Sequence, residues 1–203
     1  MTLTNSSTDA GQFGTRLRRA VAGVLLGALT VLGLRAPDTG EALAADPENT
    51  LLMDLKDGQV VIEMRPDLAP RHVARIKELV RQGFYDGLTF HRVSRGFMAQ
   101  TGDPGGDGMG GSGVKLDAEF SSEPHVRGTL SMARGGHPDS ADSQFFIVFS
   151  RARHLDNQYT VWGKVIDGME HVGKIKRGDE DRDGAVDDPD SILRLRVAAD
   201  VQK

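Results

Sequence analysis

The order of apolar and polar residues predicts a chain built mainly of short β-strands. Two apolar runs, residues 51–55 and 60–64, flank Asp57 and Gly58, an arrangement typical of a β-hairpin. Six further strands are predicted from apolar or alternating runs at residues 88–93, 97–100, 129–133, 144–149, 159–165 and 192–197. Eight short strands separated by turn residues indicate a closed β-barrel or a β-sandwich.

Two helices are predicted between these strands. Residues 71–81 carry apolar side chains at helical spacing, with Pro70 at the start and Gly83 just past the end. Residues 169–176 are predicted to form a second, shorter helix. Residues 103–113 contain six glycines and are predicted to be a loop, flexible unless another part of the chain packs on it.

The first 44 residues have the pattern of a secretory signal peptide. Three arginines lie between positions 16 and 19, residues 20–34 are uncharged and mostly apolar, and a small-x-small site ends at Ala44. A membrane anchor is the alternative, but fifteen helical residues rise only about 22 Å and Arg35 follows directly. We therefore expect cleavage after Ala44 and a periplasmic domain at residues 45–203, in preference to an inner-membrane anchor.

Composition limits the available chemistry. The chain has 203 residues, a net charge of −4 and 38% hydrophobic residues, so it can form a sizeable core and lacks the basic surface of a nucleic-acid-binding protein. Residues 1–44 hold four Lys/Arg and three Asp/Glu, which leaves 21 basic against 26 acidic residues and a charge of −5 for the remaining domain. The absence of cysteine excludes disulfides, thiolate zinc sites and cysteine nucleophiles.

One segment, FHRVSRGFMAQTGD, combines a cation, two large apolar side chains and an amide at Arg92, Phe97, Met98 and Gln100. Alternate residues of a strand share a face, so Arg92 and Gln100 point the same way if a turn at Gly96 restores the register. From this segment alone, a simpler interpretation is favoured, in which the apolar pair belongs to the core and the polar pair is ordinary strand surface.

Four blocks of sequence extend the pattern through the chain: FHRVSRGFMAQTGDP, LSMAR, SQFFIV and LDNQYTVWGKV. In content, order and spacing they resemble the cyclophilin family of peptidyl-prolyl cis-trans isomerases, and the resemblance runs from about residue 51 to residue 201. It implies a mainly β fold, an eight-stranded antiparallel closed β-barrel with two capping helices, and a substrate groove on the outer face of the barrel.

The resemblance also implies a role for each matching residue. Arg92 is similar to the catalytic arginine of the family. The implied substrate-binding residues are Phe97, Met98, Gln100, Ala133, Arg134 through its backbone, Gln144, Phe146, Leu155, Tyr159 and His154. His154 and Tyr159 stand where many members have tryptophan and histidine. We therefore expect activity to survive but the binding of cyclosporin, the cyclic-peptide inhibitor of the family, to be weak.

These implied roles fit the chemistry of prolyl isomerisation. Rotation about an X–Pro bond meets a barrier of about 18–20 kcal/mol, yet no bond is made or broken, so neither cofactor nor metal is required. We expect a monomeric isomerase that acts on proline-containing unfolded or extended polypeptides during the folding of exported proteins. The alternative is a peptide-binding or holdase module that uses the same groove with little turnover.

A separate acidic stretch, residues 179–190, has the spacing of a calcium-binding loop. Its candidate ligands are Asp179, Asp181, Asp183, the carbonyl of Ala185, Asp187 and Asp190. Arg182 inside the stretch and Pro189 near its end argue against a site. The favoured alternative is a solvated acidic turn.

Overall fold

The computed structural model describes residues 46–201, and the predicted signal segment, residues 1–44, lies outside the described residues. The strands are β1 (Thr50–Leu55), β2 (Gly58–Met64), β3 (Arg92–Ser94), β4 (Met98–Thr101), β5 (Thr129–Met132), β6 (Phe145–Val148), β7 (Val161–Asp167) and β8 (Arg194–Val197). The α-helices are α1 (Pro70–Arg81), α2 (Met169–Val172) and α3 (Ala198–Val201). Each of the eight predicted strands is present, and the mainly β fold is confirmed.

All paired strands are antiparallel, in the order β3-β4-β6-β5-β7-β2-β1-β8, and they form one curled half-barrel. The predicted closed barrel is not formed by the ladders of residues 46–201, because β3 and β8 are the two ends of this order. Irregular segments meet there instead: Gly87 N donates to Ile192 O at 2.7 Å, and Phe90 N donates to Asp190 O at 2.8 Å. Because these segments make isolated hydrogen bonds and not a continuous ladder, the strand predicted at residues 88–93 begins only at Arg92.

Helix α1 matches its prediction, whereas the other helices differ from theirs. The apolar face of α1 is buried and consists of Val73, Ile76, Leu79 and Val80. The helix predicted at residues 169–176 is a single turn, because Gly173 caps it and the next amides bond three residues back, Lys174 N to His171 O and Ile175 N to Val172 O. The unpredicted α3 gives three α-helices in the described range instead of two, and none of them is long and apolar enough to cross a membrane.

Two apolar clusters lie on opposite faces of the sheet. The main core includes Phe145 and the only tryptophan of the sequence, Trp162, which is fully buried with its ring edge-on to Phe145 at a centroid distance of 5.3 Å. Phe146 follows Phe145 on β6, so its side chain points to the other face. There it joins the second cluster with Met98 and Leu155. Phe145 therefore packs in the main core, and Phe146 packs in the cluster on the opposite face.

Candidate active site

The strand register places the central residues of the candidate site in one row. Arg92 of β3 lies opposite Gln100 of β4, Gln100 lies opposite Phe146 of β6, and Phe146 lies opposite Ser131 of β5. Directly opposed residues on antiparallel strands project to the same face. The tight hairpin between β3 and β4 turns through Gly96 at φ 68°, a conformation that favours glycine. The turn therefore restores the register as predicted.

This row opens into a groove with a volume of about 280 Å³ on the outer face of the sheet. Its lining residues are Arg92, Phe97, Met98, Gln100, Ala133, Arg134, Phe146, His154, Leu155 and Tyr159. The structure thus brings together every predicted site residue except Gln144, which lies in the adjoining depression. We call the larger space the proline groove.

The floor of the proline groove is apolar and water-excluding. Met98, Phe146 and Leu155 are at most 5% exposed, and Phe97 is partly buried beside them. Tyr159 stands edge-on to Phe146 with ring centroids 5.9 Å apart. A pocket of this kind favours a compact apolar ring over a charged or extended polar group.

Tyr159 is itself held in place from outside. The guanidinium of Arg134 lies 4.6 Å from the ring centroid of Tyr159, and its Nη2 donates to Gln158 O at 3.0 Å. Sequence reasoning assigned only the backbone of Arg134 to the site. The side chain adds a cation–π contact that fixes the aromatic wall.

Arg92 lies at the edge of this floor, with its side chain 30% exposed. Its Nη1 donates to Gln100 Oε1 at 3.2 Å. On the other side, Nε donates to the main-chain O and Oδ2 of Asp183, and Nη2 donates to Asp183 Oδ1 at 2.8 Å. A guanidinium has five N–H donors, and these contacts occupy three of them. One N–H on each Nη has no partner within residues 46–201.

Gln100 links Arg92 to the glycine-rich loop through a second glutamine. Gln100 Nε2 donates to Gln144 Oε1 at 2.8 Å, and Gln144 Nε2 donates to Gly108 O and Gly110 O at 3.0 and 2.8 Å. Because the two loop carbonyls can only accept, the network fixes both amide orientations and leaves Gln100 Oε1 facing the arginine. Gln100, which the resemblance implied to be a substrate-binding residue, is thus hydrogen-bonded to Arg92.

The glycine-rich loop is ordered around one buried carboxylate. Asp103 accepts from the backbone amides of Gly105, Asp107 and Gly108 at 2.9, 3.1 and 2.6 Å. Burial opposes ionisation of Asp103, but the amide donors outweigh it and lower the pKa of the carboxyl. This loop lines the adjoining depression of about 270 Å³ together with Gln144, Lys115 and Arg134.

Beside Phe146, on the same face of the sheet, lies a polar group that sequence reasoning missed. His125 is fully buried, its Nε2 lies 3.0 Å from Ser131 Oγ, and its Nδ1 lies 3.1 Å from Asp156 Oδ1. Burial lowers the pKa of His125, although Asp156 opposes the shift. A neutral ring can donate to Asp156, while the Ser131 hydroxyl donates to Thr160 O at 3.0 Å, so these contacts fix His125 against β5 beside Phe146. No local sequence motif marks His125, because its partners are distant in the sequence.

The candidate calcium ligands of residues 179–190 do not converge on one point in the described part of the chain. Arg182 occupies the space between two candidate ligands, with Nε 3.0 Å from Asp179 Oδ2 and Nη2 2.6 Å from Asp187 Oδ2. Asp183 points to Arg92, and Asp190 pairs with Lys56 at 2.6 Å. Within the described part of the chain, no group of three or more His, Cys, Asp or Glu side chains could hold a metal ion. The acidic-turn interpretation, which the sequence favoured, fits this geometry because Arg182 supplies a positive charge between Asp179 and Asp187.

The fold and the groove together define a β-sheet protein with an apolar groove beside a fixed cation. The family model for the cyclophilin type peptidyl-prolyl cis-trans isomerase/CLD matches residues 50–197. A probable peptidyl-prolyl cis-trans isomerase of Brucella suis is 54% identical over 187 residues, covering 86% of this chain and 94% of the relative. Peptidyl-prolyl cis-trans isomerase B of Bacillus subtilis is 45% identical over 128 residues, covering 62% and 89%.

The solved structures that resemble this chain are cyclophilins, in agreement with the family of its sequence relatives. A cyclophilin from Hirschia baltica superposes with a TM-score of 0.69 at 28% identity, covering 77% of this chain and 76% of that chain. A cyclophilin-type isomerase from Cryptosporidium parvum, determined in the presence of the dipeptide Ala-Pro, gives a TM-score of 0.68 at 29% identity, covering 73% and 98%. This chain therefore belongs to the cyclophilin-type peptidyl-prolyl cis-trans isomerase family, and its activity is that of a rotamase.

Proposed function

We propose that the proline groove holds the proline ring of a polypeptide substrate and that Arg92 stabilises the twisted X–Pro amide. The observation that supports this most directly is the position of Arg92. Arg92 is a cation at the edge of an apolar floor, and each Nη has one N–H without a partner in the described part of the chain. Those two donors are available to a bound peptide.

The chemistry follows from the electronic structure of the amide. Twisting the C–N bond removes its partial double-bond character, so the prolyl nitrogen becomes pyramidal and gains a lone pair. A guanidinium donor near that nitrogen stabilises the twisted state more than either planar state, and this difference accelerates rotation. The guanidinium stays protonated at physiological pH, so the step needs no proton transfer. Met98, Phe146 and Leu155 hold the ring while the preceding carbonyl moves.

The proposed substrates are unfolded or extended polypeptides that contain proline. The Cryptosporidium parvum relative was determined in the presence of Ala-Pro, which supports a proline-containing ligand for a groove of this kind. The groove lies on the outer face of the sheet, where an extended chain can reach it. We propose that the protein acts as a monomer. We also propose that it needs no cofactor, since rotation makes and breaks no bond.

Replacement of Arg92 by alanine tests this assignment. We expect Arg92→Ala to lower the kcat/KM for an Xaa-Pro peptide by at least about tenfold, because one transition-state donor is typically worth about 2.7–4 kcal/mol in a dry site and less where water enters. Protease-coupled isomerisation measures the rate, and circular dichroism verifies the fold. An unchanged rate in a folded variant would exclude Arg92. Peptide binding by the wild type without turnover above that of the variant would favour the holdase alternative.

We further propose that residues 1–44 direct export and that the isomerase works in the periplasm. The order of basic cluster, apolar stretch and small-x-small site supports this. Expression of the full chain in a Gram-negative host followed by fractionation tests it. A periplasmic product beginning at Ala45 is expected. A full-length membrane product would indicate an anchor, and a full-length cytosolic product would contradict export.

A further inference from the structure

The acidic stretch at residues 179–190 is attached to the strand that carries Arg92. Val93 N donates to Gly184 O at 2.8 Å, Gly178 N donates to Val93 O at 2.9 Å, and Val186 N donates to His91 O at 3.1 Å. These bonds lie on both sides of Arg92. Residues 178–188, which we call the acidic loop, are therefore fixed against β3 by backbone contacts.

This close approach depends on Gly184. Its φ is 80°, and a Cβ at this position would lie 2.6 Å from Ser94 Oγ and 3.2 Å from the backbone C of Val93. A side chain there would require Ser94 Oγ to rotate away and the backbone of β3 or of the loop to shift by a few tenths of an ångström. The glycine therefore allows the preceding residue, Asp183, to reach the arginine.

Asp183 accepts hydrogen bonds from the guanidinium of Arg92 on the side opposite Gln100. Its Oδ1 accepts from Nη2 at 2.8 Å, its Oδ2 accepts from Nε at 3.1 Å, and its main-chain O accepts from Nε at 2.9 Å. A two-oxygen contact to two nitrogens fixes the plane of a guanidinium as well as its position. With Gln100 on Nη1, the plane is held at both edges, and the two remaining N–H groups point away from these partners.

The contact holds Asp183 in an uncommon backbone conformation. Its φ is 52°, in the left-handed region that aspartate, asparagine and glycine tolerate best. The hydrogen bond from Arg92 lowers the pKa of the Asp183 carboxyl, so the carboxylate is ionised at neutral pH. Its side chain is 82% exposed and Asp183 does not line the proline groove, so any effect on substrate passes through Arg92.

We propose that Asp183 is a positioning residue for the isomerase, because its carboxylate fixes the plane of the Arg92 guanidinium relative to the bound X–Pro amide. This inference rests on the catalytic role of Arg92 proposed above. A misdirected donor weakens the interaction made in the twisted state more than the binding of the planar peptide. Loss of Asp183 therefore lowers kcat and leaves KM nearly unchanged.

Asp183→Asn is the first test, because asparagine tolerates the left-handed conformation and keeps the side-chain shape. We expect kcat to fall by about three- to tenfold, since a small error in aim has a large effect on rate. Asp188→Asn is the matched control. Asp188 lies at the end of the acidic loop with the same φ of 52°, it is fully exposed, and its nearest cationic partner is Lys176 at 3.9 Å. The control makes the same change of charge and is expected to keep the wild-type rate.

A double-variant cycle with Arg92→Ala separates positioning from general support. If Asp183 acts through Arg92, Asp183→Asn causes no further loss in the Arg92→Ala background. An equal loss in both backgrounds, or a wild-type rate for Asp183→Asn alone, would overturn the proposal. Asp183→Gly, which also tolerates the backbone conformation, repeats the test if the asparagine variant is unstable. A wild-type rate for Arg92→Ala would instead refute the proposed function, so the two failures are distinguishable.

Discussion

His154 occupies the rim of the proline groove and is exposed, with its ring centroid 5.3 Å from that of Phe97. It lies in a one-turn 3₁₀ segment, Arg153–Leu155, which buries Leu155 in the groove and leaves the histidine outside. A residue at this position can touch a large ligand that overhangs the groove. It contributes little to a floor formed by Met98 and Phe146.

Replacing His154 by tryptophan should therefore affect a large inhibitor more than a short substrate. We expect His154→Trp to tighten cyclosporin binding by about tenfold, or ~1–2 kcal/mol, because an indole adds apolar area and one N–H donor at the rim. Turnover of a short Xaa-Pro peptide should change little. Titration calorimetry and the peptide assay measure the two effects. Equal affinity for both proteins would assign cyclosporin sensitivity to Tyr159 or to the glycine-rich loop.

The residues of the groove could be predicted, whereas part of their support could not. Arg92, Phe97, Met98 and Gln100 lie within one short hairpin, so their types and spacing are visible in the sequence. Asp183 is 91 positions from Arg92, in a stretch whose acidic residues suggested a metal. Its partner becomes apparent only when the two backbones are seen to touch.

At the scale of secondary structure, the groove depends on how closely β4 approaches the segment before β6. Gly102 follows β4 with φ 90°, and a Cβ there would lie 2.4 Å from the carbonyl O of Ser143 and 2.9 Å from the Cα of Gln144. Both contacts are backbone atoms and cannot rotate away. The same contact line positions Gln144 for its bond to Gln100.

Two glycine substitutions separate conformational cost from steric cost. Gly113 has a similar φ of 85° but no atom within 4 Å of an added Cβ. Gly113→Ala should lower the free energy of unfolding by about 1–2 kcal/mol, the cost of a left-handed alanine. Gly102→Ala should cost at least about 2 kcal/mol more, because backbone must also move. Urea unfolding measures both, and equal losses would show that the approach at Gly102 is not restrictive.

Local patterns predicted the existence of elements better than their ends. Alternation and the Asp-Gly turn were sufficient for β1 and β2, because these strands pair with sequence neighbours. The start of β3 was misplaced, since residues 88–91 look like a strand but meet the irregular segment before β8. Whether the edges of the sheet close depends on that distant pairing, which no local pattern specifies.

At the scale of the whole molecule, buried histidines couple the fold to pH. His72 at the start of α1 is fully buried, and its Nδ1 lies 2.7 Å from Glu119 Oε2. Burial lowers the pKa of His72 despite this carboxylate, and it lowers that of His125 as well. In the unfolded chain both rings titrate near pH 6.5, so below that pH the unfolded state binds more protons than the folded state.

The free energy of unfolding should therefore be steady above about pH 7 and decline as pH falls below about 6.5, since the unfolded state binds more protons there. His72→Gln, which cannot be protonated, should reduce this slope by roughly one proton between about pH 5 and 6.5. His137→Gln, which replaces an exposed ring, is the control variant. Urea unfolding at several pH values measures how the free energy of unfolding depends on pH. A wild-type slope in the His72 variant would mean that His72 does not contribute.

The burial of Trp162 determines which changes the intrinsic fluorescence of the protein detects in solution. The indole is sealed in the main core against Phe145, on the face of the sheet opposite Phe146. Since it is the only tryptophan in the chain, intrinsic emission should be blue-shifted in the folded state and should shift to the red only when the core opens. A peptide entering the proline groove leaves that emission almost unchanged. The wild-type chain therefore has one tryptophan signal, which reports unfolding and not occupancy of the groove, and an indole placed at position 154 would supply a second signal for occupancy.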